Sequence, residues 1–98
     1  MSVHIERSFV RSTVECLARV QPENAAAFMA LVVDLSQGGC RLQTDKLLAS
    51  GAHVALRLPD LGERRARVIW RIDHNAGCAF DRLVEVADVH HAVAASRL

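Results

Sequence analysis

Two short motifs hold residue types that could recognise a phosphorylated, aromatic ligand. Arg7 and Arg11 bracket Ser8-Phe9-Val10, an RxxxR spacing. In an extended chain the two guanidinium groups share one face at roughly 13 Å. In a helical turn they also share a face, at roughly 6 Å. Guanidinium forks bind phosphate bidentately and stack on flat rings, so the pair suits a ligand with two phosphates. The second motif is Asp34-Leu35-Ser36-Gln37-Gly38-Gly39, a DxSxxG. A carboxylate presents two parallel acceptors, and the Watson–Crick edge of guanine presents two parallel donors. That match separates guanine from adenine. Ser36 can add a further hydrogen bond, and Gly38 and Gly39 let the backbone turn, with positive φ, and approach a ligand closely. Each motif alone has an ordinary reading: a solvated arginine pair, and a set of turn residues.

The elements that must position these residues are mostly strands, because apolar residues recur every second position. Val14, Cys16, Ala18 and Val20 mark a first strand, and Gln21-Pro22-Glu23-Asn24 turns the chain. A second strand runs from about Phe28 to Leu35. Its Met29, Leu31, Val33 and Leu35 form an apolar face expected to meet the core, which leaves Asp34 and Ser36 facing away. Cys40, Leu42 and Thr44 mark a third strand, and Val54, Leu56 and Leu58 a fourth. After a Pro59-Asp60-Leu61-Gly62 hairpin, Ala66, Val68, Trp70 and Ile72 mark a fifth, which assigns Trp70 to the core. The stretch Asp73 to Gly77 reads as a turn, and Cys78-Ala79-Phe80 starts a short sixth strand. From about Val84 to Ser96 the period changes to three and four residues, which predicts an amphipathic helix. Short strands at regular spacing predict an all-β barrel or sandwich.

Composition narrows the function classes. With 51% hydrophobic residues, 23% charged residues and a formal net charge of +1, the 98-residue chain reads as one small globular domain without a global field for nucleic acid or membrane. The arginines at 57, 65, 67 and 71 read as a solvated outer stripe. With three Phe and one Trp there is no aromatic platform for single strands, so a nucleic-acid partner is disfavoured. No CxxC is present, and Cys16, Cys40 and Cys78 are read as small core residues in a reducing cytosol. The adjacent His90 and His91 point in different directions on a helix, so no metal site is expected. No nucleophile elbow accompanies Ser36, so no catalytic residues and no enzyme activity are expected. The apolar runs are too short for membrane insertion and the N-terminus lacks an apolar signal core, so the expected location is cytoplasmic.

Together, RxxxR before a first strand and DxSxxG at the end of a second resemble the PilZ domain family. Leu42 to Thr44, Pro59 to Gly62, Ala66 to Trp70 and the closing Gly77-x-x-Phe80 resemble it too, so the likeness covers about residues 6 to 83. The resemblance implies a six-stranded antiparallel β-barrel with a C-terminal helix at residues 12–98, preceded by a flexible arm at 1–11. It implies a receptor for the bacterial second messenger cyclic di-GMP that signals to a protein partner and needs no cofactor. Arg7 and Arg11 would grip phosphates and stack on bases, Asp34 and Ser36 would read a guanine edge, and Gly38 and Gly39 would shape the loop. The arm would fold over the ligand. Glu6 departs from the basic or apolar residue many members carry there, which leaves one or two ligands per chain open. The alternative within the family is an adaptor that binds proteins without nucleotide.

Overall fold

Alternating apolar residues carry the chain around a closed sheet, which buries one face of every strand and leaves no open edge. The computed structural model describes residues 9–96. Its strands are β1 (Ser12–Pro22), β2 (Phe28–Leu35), β3 (Gly39–Gln43), β4 (His53–Leu58), β5 (Gly62–Ile72) and β6 (Asn75–Phe80), followed by helix α1 (Val86–Ala95). All pairings are antiparallel, in the closed order β1-β2-β3-β6-β5-β4. The expected six-stranded barrel with a C-terminal helix is therefore the observed fold. Arg7 and Glu6 lie outside the described residues.

The core is filled by the inward residues of the strands, including Val20, Val32, Leu42, Leu56 and Val68, each without exposed surface. Strand β4 keeps the predicted alternation from end to end, with Val54, Leu56 and Leu58 inward. Helix α1 adds Val89 and Ala92 to the same core, and Val84 joins it from the segment just before the helix. The helix starts two residues later than predicted, at Val86, because the Glu85 backbone before it is extended, at φ −63° and ψ 143°, while the Val84 N–H donates to Gln37 O at 2.9 Å.

Two strands depart from the predicted parity. In β2 the core residues are Ala30 (3% exposed) and Val32 (0%), whereas Met29 is 56% exposed. The expected inward row of Met29, Leu31 and Val33 thus faces outward. A register slip between Val32 and Asp34 against β3 inserts Val33 as an extra residue, so Leu35 returns to the core while Asp34 stays outside. A bulge makes two successive side chains share a face, which resets the alternation beyond it. Without it Asp34 would follow Ala30 and Val32 inward, and burying an unpaired carboxylate is strongly unfavourable.

Strand β5 repeats the device. Pairing with β6 slips between Val68 and Trp70, leaving Ile69 as the extra residue. Trp70, expected in the core, is 36% exposed on the outer wall. Arg71 consequently leaves the outer stripe of Arg57, Arg65 and Arg67, and its guanidinium donates to Lys46 O at 3.0 Å and Asn75 O at 3.4 Å. The turn before β6 is also tighter than expected. It needs only Asp73, at φ 52°, and His74, so Asn75, Ala76 and Gly77 belong to the strand.

Candidate functional site

The two bulges bring chemically useful residues into one row across the barrel wall. Register pairs Thr13 with Asp34, Asp34 with Arg41, Arg41 with Gly77, and Gly77 with Trp70. Three strand spacings of about 4.8 Å put Asp34 and Trp70 about 14 Å apart across a shallow trough. A cleft of about 230 Å³ occupies this trough. Its lining includes Arg11, Asp34, Ser36, Gly38 and Gly39, all chosen from sequence, together with Arg41 and Trp70. Ligand pockets that enclose a drug-sized molecule usually run ~300–1,000 Å³, so this cleft suits one flat end of a larger ligand.

Asp34 is 21% exposed, and Arg11 Nη1 lies 3.8 Å from its Oδ2. With Arg11 60% exposed, the pair is solvent-screened and worth roughly 0–1 kcal/mol. It holds the carboxylate toward the arm without tying it up. Among the described residues Arg11 is the only partner of this carboxylate, so its acceptors are open to a ligand. Arg41, one strand over, makes only a long contact to Asn75 Oδ1 at 3.4 Å, leaving a second guanidinium at the cleft.

The loop leaving β2 is fastened from both ends. Ser36 N–H donates to Gly39 O at 2.9 Å, and Gly38 N–H donates to Ser36 Oγ at 3.2 Å. The Ser36 hydroxyl reaches Gly39 O at 3.4 Å. Ser36 is buried and faces its own loop, instead of projecting freely beside Asp34. Phe80 N–H then donates to Gly38 O at 2.8 Å, which joins the loop to β6.

The glycines serve close approach and not the positive φ expected from sequence, which occurs among glycines at Gly51 and Gly62. A Cβ on Gly39 would collide with the backbone carbonyl of Cys78. A Cβ on Gly38 would come within 3.0 Å of the Phe9 ring, so the arm's aromatic residue rests on the DxSxxG loop. Gly77 has a matching role on the far side: a Cβ there would overlap the indole of Trp70, which lies across the glycine. Sequence reasoning missed Arg41, Trp70 and the strand role of Gly77. The available signal was a glycine opposite a tryptophan, visible only once the β5–β6 register was known.

Beneath the cleft, Cys40 and Cys78 are direct cross-strand partners. The Cys40 thiol is held well above the usual thiol range, first by its hydrogen bond to Cys78 and then by burial. All three cysteines are free. Among the described residues no cluster of His, Cys, Asp or Glu could hold a metal ion, and no helix is long and apolar enough to cross a membrane.

The family model for the PilZ domain matches residues 5–94 of this chain. Among solved structures, the PilZ domain of CeSA from a cellulose-synthesizing bacterium superposes with a TM-score of 0.62 at 16% identity, over 89% of this chain and 94% of that one. The Bacillus subtilis inhibitor of motility, MotI/DgrA, superposes with a TM-score of 0.64 at 20% identity, over 92% of this chain and 49% of that one. A search of curated proteins found no match.

Proposed function

Because the chain belongs to the PilZ domain family, whose members are typically non-enzymatic receptor or adaptor domains, we propose that it is a cyclic di-GMP receptor using the Asp34–Trp70 trough. The observation that carries this reading is the outward turn of Asp34 at the β2 bulge, beside Arg11 and above the fastened glycine loop.

In this reading Asp34 accepts from N1–H and the exocyclic amine of a guanine. Two charge-assisted hydrogen bonds of this kind contribute about 1.5–3 kcal/mol each. Arg11 opens its screened pair with Asp34 at little cost and turns to the ligand's phosphate or stacks on its base. Arg41 supplies a second positive charge inside the trough. The indole of Trp70, laid over Gly77, gives an apolar wall against which a purine can rest. Arg7, carried over from the family resemblance, adds a third guanidinium. Phe9 already ties the arm to the Gly38 loop, so ligand contact at Arg7 and Arg11 redirects the arm and alters the surface shown to a partner protein.

Isothermal titration of the full chain with cyclic di-GMP tests this, with cyclic di-AMP as the adenine control. A dissociation constant near the micromolar range, about −8 kcal/mol, is expected for the guanine ligand. Asp34→Ala is expected to weaken it at least ~tenfold, the equivalent of one lost charged hydrogen bond. A folded wild-type chain that gives no heat would overturn the receptor reading and leave a protein-only adaptor.

A further inference from the structure

The bulge that turns Asp34 outward also leaves an apolar face outside the barrel, next to the trough. On β1 the outward row is Glu15, Leu17 and Arg19, and on β2 it is Met29, Leu31 and Val33. Leu17 pairs with Leu31 and Arg19 with Met29, so the two rows lie side by side. Leu17 and Met29 are 58% and 56% exposed. Adjacent exposed apolar residues on a soluble domain mark a contact surface more often than scattered single ones do.

We propose that this face binds a second copy of the same chain through a two-fold axis crossing Leu17 and Leu31. Charge complementarity identifies the occupant. Glu15 and Arg19 flank Leu17 and have no ion-pair partner among the described residues. They cannot meet each other within one chain, because four residues along a strand span roughly 13 Å. Arg19 is moreover set directly opposite Arg57 on β4, whose guanidinium pairs with Glu63 at 3.5 Å, so the neighbouring strand offers Arg19 a like charge and no partner. A copy rotated by 180° about an axis perpendicular to the strands resolves both problems. Leu17 then meets Leu17 and Leu31 meets Leu31. Met29 meets Val33, and Glu15 of each copy meets Arg19 of the other. This is the self-complementarity an isologous interface requires. Two convex barrel walls touch over a limited area, so the dimer is of the weak, concentration-dependent class.

Sedimentation velocity of the full chain without nucleotide tests the proposal independently of the cyclic di-GMP reading. The wild type is expected to rise from its monomer mass of 10.7 kDa toward twice that value with concentration. Arg19→Glu and Glu15→Arg each place like charges face to face twice and are expected to weaken association at least ~tenfold. The double charge swap, Glu15→Arg with Arg19→Glu, restores complementarity and is expected to restore the dimer. Arg19→Glu also replaces the Arg19–Arg57 opposition by an attraction, so its melting temperature should not fall, which separates lost association from lost fold. A wild type that stays monomeric up to ~1 mM, the weak end of specific association, overturns the proposal. So does a dimer that the single substitutions leave intact, or one that the double swap fails to rescue.

Discussion

Strands β4 and β2 are written in the same apolar alphabet but behave differently. β4 alternates without a break, and every one of its apolar residues on one parity is core. β2 alternates with one parity as far as Val32, slips at Val33, and ends with the other. The regular strand supplies barrel wall. The broken one supplies wall, an outward carboxylate and an exposed apolar face. β5 behaves like β2, with Ile69 as the slip and Trp70 as the side chain re-aimed. Asp34 and Trp70, at the two ends of the cleft, thus sit just beyond the points where alternation fails.

The sharpest test sets the two parities of β2 against each other. Val32→Asp is expected to lose more than ~4 kcal/mol or fail to fold, because it buries an unpaired carboxylate. Met29→Asp should change the unfolding free energy by less than ~1 kcal/mol, as exposed sites do. Urea denaturation distinguishes them, and equal losses would show that both positions face the core.

The next effect separates the two glycines of the loop. Gly39→Ala forces a backbone movement against Cys78 and should lose about 2–4 kcal/mol, at and above the upper end of the usual overpacking range. Gly38→Ala meets only the Phe9 ring, which can yield, so a loss of under ~1 kcal/mol is expected. Similar losses in denaturant unfolding would mean that loop conformation, and not contact, selects glycine there.

On the far side of the trough, Gly77→Ala should lift the indole. A loss of about 1 kcal/mol, a change in tryptophan emission and weaker nucleotide binding are expected together. Unchanged emission would place the ring elsewhere.

The smallest effect concerns the thiols. Cys40 is held protonated by its hydrogen bond to Cys78 and by burial, so its folded value lies above its unfolded one. The stability this contributes is complete below the ordinary thiol range and is lost as pH rises through the raised value. Iodoacetamide labelling followed by mass should therefore modify Cys40 last and half-buried Cys16 earlier. Early labelling of Cys40 would contradict the buried β3–β6 pairing.

Much of the architecture was legible in the residues. The alternation marked five strands, Cys78-Ala79-Phe80 marked the end of the sixth, the change of period marked the helix, and the DxSxxG and RxxxR spacings identified Asp34, Gly38, Gly39 and Arg11, which line one cleft. The facing of Met29 and Trp70 was not legible. Leu31-Val32-Val33 and Val68-Ile69-Trp70 are continuous apolar runs, so either parity satisfies them equally well.

What the sequence determined by itself is the number of strands, their order along the chain and the residue types available for binding, because those follow from local periodicity and side-chain chemistry. Tertiary structure alone decided which apolar residues of β2 and of the end of β5 face in. Closing six strands into one barrel sets the register of each against its neighbours, and that register inserts Val33 and Ile69 as extra residues. Asp34 and Trp70 share a trough for that reason, since no local preference at either residue encodes the slip.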